Sequence, residues 1–81
     1  MDRMKARVER GRRRQEIGSR LRMLRRESGI TQAILAKKVQ VSQQMIGHIE
    51  TGQKAMVAEL CYDICKAIGC STDDIIVGKT A

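Results

Sequence analysis

The chain has 81 residues, enough for one domain, and 16 Lys and Arg against nine Asp and Glu give it a formal net charge of +7. This excess favours a polyanion as partner, with nucleic acid ahead of an anionic membrane surface. Tyr62 is the only aromatic residue, which argues against the stacking platforms of single-strand binders and favours double-stranded DNA.

The three cysteines and the hydropathy pattern bear on the compartment in which the protein is found. An odd number of cysteines within ten residues does not fit the disulfide framework of a secreted protein. No segment reaches the roughly 20 apolar residues that span a bilayer, and the N-terminus lacks the apolar segment of a secretory signal. We therefore expect a cytoplasmic protein with no membrane association.

Residues 1–14 form a basic N-terminal arm, which we expect to be flexible and distinct from a domain over residues 15–81. Seven of the 16 Lys and Arg lie in it, against Asp2 and Glu9. Three interpretations are open: a solvated tail, an arm that contacts phosphates or reaches into a groove, or a helical extension that packs elsewhere. The candidate DNA contacts in the arm are Arg10, Arg12, Arg13 and Arg14.

Five helices are predicted along the rest of the chain. Apolar residues recur at helical spacing from Glu16 until Gly29, which can end the first helix in a left-handed conformation. Thr31 and Ser42 are suitable N-caps for two short helices that meet at a tight turn. A fourth helix is expected over about residues 57–68, followed by a short fifth helix capped by Ser71 or Thr72.

The third helix separates into a packing face and an exposed face when it is projected along its axis. Because a glutamine amide donates and accepts together, exposed glutamines at a helix start can read the major-groove edge of adenine. Gly47 on the same face indicates either a close approach to DNA or a tolerant surface site. The projection places Ser42, Met45, Ile46 and Ile49 on the packing face, and Gln43, Gln44, Gly47 and His48 on the exposed face.

The segment TQAILAKKVQVSQQMIGHIETG resembles the Cro and repressor type of helix-turn-helix protein. The resemblance covers residues 17–77 and depends on Thr-Gln at the start of the second helix, Ala36, Ile46 and the Glu-x-Gly of residues 50–52. It implies an all-α fold, a compact five-helix bundle of the phage-repressor DNA-binding domain type.

The resemblance also implies roles for individual residues. Gln43, Gln44 and His48 match positions that read bases. Gln32, Ser42, Gln53 and Lys54 match positions at or beside the DNA backbone. Arg25 and Glu50 match a structural ion pair between the first helix and the end of the third.

Two residues depart from the pattern of this family. Gln40 stands where the turn usually has glycine, so either Gln40 is left-handed or the turn differs. Ile34 replaces a polar residue and is expected to be exposed, where it could belong to an interface.

The function expected from these features is a sequence-specific transcriptional regulator, a homodimeric repressor on a palindromic operator. The apolar run over residues 75–77 exceeds what one helical face buries and would supply a dimer contact. The alternatives are an antitoxin-like module whose main task is to bind a protein partner, and a non-specific nucleoid-type binder. We expect no enzymatic activity, cofactor or metal, with Cys61, Cys65 and Cys70 packing in the core rather than serving as a metal site or redox sensor.

Overall fold

The computed structural model describes residues 3–78, which fold into five α-helices without a strand in that range. The all-α, five-helix architecture predicted from the sequence is confirmed. The helices are α1 (Arg3–Glu27), α2 (Gln32–Val39), α3 (Gln43–Glu50), α4 (Ala58–Ile68) and α5 (Thr72–Ile76).

Side-chain caps begin three of these helices, since the first N–H groups of a helix have no partner within it. The hydroxyl of Thr31 accepts from the N–H of Ile34 at 3.1 Å, and that of Ser42 from the N–H of Met45 at 3.0 Å. Of the two candidates for α5, the cap is Ser71, which forms a reciprocal capping box with Asp74. The predicted local chemistry therefore determines where the short helices start.

The N-terminal arm is helical over residues 3–14 and continuous with α1, which is the third of the three interpretations in its helical form, while its flexibility stays a prediction. The segment contains no proline and half of it is arginine, a good helix former, with Val8 and Gly11 as its weaker positions. Elongating a helix that is already packed avoids the cost of nucleation. The arm is therefore an extension of α1, while its separation from residues 15–81 as a domain stays a prediction.

The turn between α2 and α3 keeps its geometry although it lacks glycine. Gln40 has φ 59° and ψ 44°, the left-handed conformation, and its N–H caps the carbonyl end of α2. This is the first of the two alternatives that the sequence left open. The conformation costs roughly 1–2 kcal/mol for a residue with a side chain.

One hydrophobic core joins all five helices. Arg20 of α1 reinforces it by donating from Nη1 to the carbonyl oxygens of Ile75 and Ile76, both at 3.0 Å, which fixes the end of α5. Ile34 is exposed, as expected. No helix between residues 3 and 78 combines the length and apolar character needed to cross a membrane. The fully buried large side chains are Leu21, Leu35, Ile46, Ile49, Ile64 and Ile75.

Candidate nucleic-acid interface

The position of α3 depends on a close approach between its C-terminal end and α1. A Cβ added to Gly18 would overlap the carbonyl oxygen of Ile49 and lie 2.6 Å from that of Glu50. Real Cβ atoms essentially never come so close to backbone, so only glycine fits there. Gly18 was not among the residues predicted from the sequence, where the available signal was a glycine inside a strongly helical pattern.

A buried ion pair holds the same end of α3. Arg25 donates from Nε to Oε2 of Glu50 at 2.7 Å and from Nη2 to Oε1 at 3.1 Å, with side chains only 8% and 1% exposed. Nη1 of Arg25 also donates to the carbonyl oxygen of Ile30 at 2.8 Å. The bidentate pair therefore joins α1, the segment before α2 and the end of α3, as the resemblance implies.

The side chain of Gln32 forms a hydrogen bond within the protein. Its Nε2 donates to Oε1 of Glu50 at 3.0 Å, so one of its two N–H groups is already used. Its side chain lies over Gly47, where an added Cβ would be 3.7 Å from Oε1 of Gln32, an ordinary contact distance. No neighbouring protein atom therefore requires position 47 to be glycine.

The N-terminal end of α3 is open to solvent. Gln43 and Gln44 are exposed, whereas Ile46 and Ile49 on the other side are buried. His48, one turn further along, is half-buried. The projection was wrong about Ser42, which it placed on the packing face: this residue is exposed, because its hydroxyl caps the helix instead of entering the core.

The loop after α3 carries the last two candidate backbone contacts. The N–H groups of Gln53 and Lys54 both donate to the carbonyl oxygen of His48, at 2.8 and 3.1 Å. Their side chains are exposed. Contacts from this loop to an outside partner would therefore come from the side chains and not from these two peptide groups.

Comparison with known proteins assigns this arrangement to a family, because a model of the helix-turn-helix domain matches residues 16–75, most of the chain. The chain belongs to the XRE-like helix-turn-helix domain family. No curated protein matches it in sequence.

Two solved structures resemble this helix-turn-helix chain, both of the clp gene regulator ClgR from Corynebacterium glutamicum. One is 32% identical with a TM-score of 0.77, over 82% of this chain and 86% of that one. The other is 32% identical with a TM-score of 0.78, over 82% of this chain and 70% of that one. Together with the family match, they support a DNA-binding transcription regulator.

The arm arginines lie on the extension of α1, before the part of the chain that the helix-turn-helix model matches. Arg10, Arg12 and Arg13 are exposed and Arg14 is half-buried. Arg12 approaches Glu9 at 3.9 Å in an exposed pair. All four arginines thus belong to a helical segment that is continuous with α1.

Two of the three cysteines of the helix-turn-helix chain, Cys61 and Cys65, lie in the hydrophobic core, and Cys70 packs against it. Burial raises the pKa of the Cys61 thiol, and burial together with the neighbouring Cys70 and Cys61 thiols raises the pKa of Cys65 to about 12. Thiols with such pKa values stay protonated at neutral pH, and the thiolate is the reactive and metal-binding form. Within residues 3–78, no group of His, Cys, Asp or Glu side chains has an arrangement that could hold a metal ion.

Proposed function

We propose that this protein is a sequence-specific transcriptional regulator that inserts α3 into the major groove of double-stranded DNA. One observation carries the proposal: α3 exposes the Gln43 and Gln44 amides while its opposite side is held in the core and its end by the Arg25–Glu50 pair. The backbone of a helix fixed in this way is already ordered, so binding has to order only its exposed side chains.

Gln43, Gln44 and His48 are the proposed base readers. The glutamine amides can each donate to one adenine atom and accept from another, a pairing that distinguishes adenine from the other bases in the major groove. His48 lies about one turn further along α3, where it would contact a neighbouring base pair.

The proposed phosphate contacts lie on both sides of these readers. Ser42 accepts a hydrogen bond as the cap of α3, and its O–H stays available to donate. Gln32 keeps a second N–H on Nε2 and lies at the start of α2, where the first peptide N–H groups favour an anion. Gln53 and Lys54, in the loop after α3, would contact the DNA backbone on the other side of the base readers.

Selection of bound duplexes from a random pool tests the base readers. Gln44→Ala should weaken binding by about 1–3 kcal/mol and relax the preference at one position of each half-site. The matched control is Gln40→Gly, which removes an exposed glutamine beside Asp63 and Lys66 and should leave the preference unchanged. Identical preferences for Gln44→Ala and the native protein would refute the role of Gln44.

The proposed assembly is a homodimeric repressor on a palindromic operator. Large apolar side chains are exposed near the end of α5, Ile76 at 44% and Val77 at 62%, and Met23 of α1 is 55% exposed. A groove between α1 and the end of α5 is lined by Met23 and Val77. A twofold contact there would present two copies of α3, which must lie about 34 Å apart to enter successive major grooves.

The molar mass of the protein in solution tests whether it is a dimer. Val77→Asp places a charge in the proposed contact, so light scattering should show monomers where the native chain is dimeric. The variant should keep the half-site preference and lose the advantage of a full palindrome. A native chain that stays monomeric on a palindrome would refute the dimer and leave the base readers unaffected.

A further inference from the structure

The extension of α1 carries its arginines in an ordered row. Continuing along α1 toward the N-terminus at spacings of three and four residues, the buried residues Gly18, Leu21 and Arg25 are followed by four arginines, with Gly11 and Met4 beside them. Residues at this spacing share one side of a helix. The members of this row, which we call the arginine row, are Arg3, Arg7, Arg10 and Arg14.

The side of α1 that carries the arginine row is the side that faces α3. Gly18 lies against the carbonyl groups of Ile49 and Glu50 there. Close by, the loop after α3 lies against α1, since a Cβ on Gly52 would be 2.9 Å from Cα of Gln15. The row therefore begins where α1 passes the loop of Gln53 and Lys54, and it continues beyond the body of the protein.

Electrostatics disfavours the arginine row in the absence of an anion. Like charges three and four residues apart repel each other on a helix. Within the described residues, the first turn of α1 contains no acidic residue, and the positive end of the helix dipole adds to the charge of the row. Glu9 does not offset the row, because it approaches Arg12, on a different side of α1, at 3.9 Å. A line of negative charges along this side would remove the repulsion.

We propose that the arginine row binds the phosphates of one DNA strand that flanks the sequence read by α3. The proposal rests on the proposed function and names the side of the extension that touches DNA: Arg3 and Arg7 are included, while Arg12 and Arg13 are not. From Arg3 to Arg14 the row is about 16 Å long at 1.5 Å per residue. A strand presents one phosphate per roughly 3.4 Å of duplex axis, so the row is long enough to contact several.

Two variants with the same change in charge test the proposal. The row variant combines Arg7→Gln, Arg10→Gln and Arg14→Gln. The matched variant combines Lys5→Gln, Arg12→Gln and Arg13→Gln on the other sides of the extension. Glutamine is as good a helix former as arginine, so circular dichroism should show the same helix content in both.

The measurement is the salt dependence of binding to a duplex with long flanks around the selected site. The native slope of log K against log salt should fall by about 0.9 for each lost phosphate contact, so by about 2–3 in the row variant. The matched variant should lose less than about 1, and both should retain the base preference of the native protein. Trimming the flanks to the site read by α3 should remove the difference between the two variants.

Any of the following outcomes would contradict the proposal that the arginine row binds DNA phosphates. Equal losses of slope in both variants would mean that the extension acts only through its overall charge. Unchanged slopes in both would mean that it does not touch DNA. A row variant that loses only its binding to vesicles of anionic lipid would identify a membrane surface instead. If the native chain bound no duplex at all, the proposed function itself would fail, which is distinct from all three.

Discussion

The carbonyl oxygen of Glu50 lies only 2.6 Å from the position that a Cβ would take on Gly18. We expect Gly18→Ala to destabilise the fold by about 3 kcal/mol or more, because the atoms in the way are backbone and cannot rotate aside. Urea unfolding measures the loss directly. The same variant should bind DNA more weakly, since the displaced element is α3 itself.

Gly11→Ala is the matched control, in the same helix. Nothing lies within 4 Å of a Cβ at Gly11, so the substitution should raise the stability of the extension by up to about 1 kcal/mol. Equal effects of alanine at positions 11 and 18 would contradict the close packing of α1 against α3.

Arg25→Met removes one partner of the buried pair and leaves the carboxylate of Glu50, which is 1% exposed, with only the Gln32 amide. We expect a loss of about 3–5 kcal/mol in the free energy of unfolding, because an uncompensated buried charge costs far more than a surface one. The urea midpoint and its slope report this loss.

Two further variants separate burial from charge. Arg25→Met with Glu50→Met should recover much of the stability, since apolar side chains can replace a buried pair. Arg12→Met breaks only the exposed pair with Glu9 and should cost at most about 1 kcal/mol. A small loss in Arg25→Met and no recovery in the double variant would mean that the pair does not hold α3.

The sequence predicted the features that depend on local chemistry. Thr31 and Ser42 cap their helices because each hydroxyl needs only the N–H groups of its own next turn. The order of the helices and the exposure of Gln43 and Gln44 followed from helical spacing in the same way, whereas the type of bundle followed from the family resemblance. These features require no knowledge of what lies elsewhere in the chain.

The features that sequence reasoning missed depend on tertiary contact. Gly18 looks like a weak point in α1 until the carbonyl groups of α3 are placed against it. Composition suggested a flexible arm, but residues 3–14 continue a helix that is already anchored by packing further along. The bond from Gln32 to Glu50 joins residues far apart in sequence, and no local pattern indicates it.

The stability of the fold should fall at alkaline pH because of Cys65. Its pKa is raised from 9.0 to about 12, mainly by burial, so the folded chain keeps a proton that the unfolded chain releases above about pH 9. The contribution is fully present at pH 7 and is lost as the pH rises toward 12, by about 1.4 kcal/mol per pH unit for one such thiol. Urea midpoints at pH 7, 8 and 10 measure this.

Cys65→Ala is the control, since it removes this thiol and leaves every other side chain of the chain in place. The variant is expected to be less stable at pH 7, because a buried side chain is shortened, but to lose less stability between pH 8 and 10. An equal fall in the two proteins would assign the pH dependence to other groups.

Gly47→Ala separates the two interpretations of a glycine on the exposed face of α3. The added methyl group would lie 3.7 Å from Oε1 of Gln32, so it fits. Alanine should stabilise α3 by up to about 1 kcal/mol, seen as a higher urea midpoint. We expect the same variant to bind its DNA site about tenfold more weakly, because the methyl group would be added to the side of α3 that is proposed to approach the groove. A variant that is more stable and binds equally well would mean that position 47 tolerates glycine without needing it.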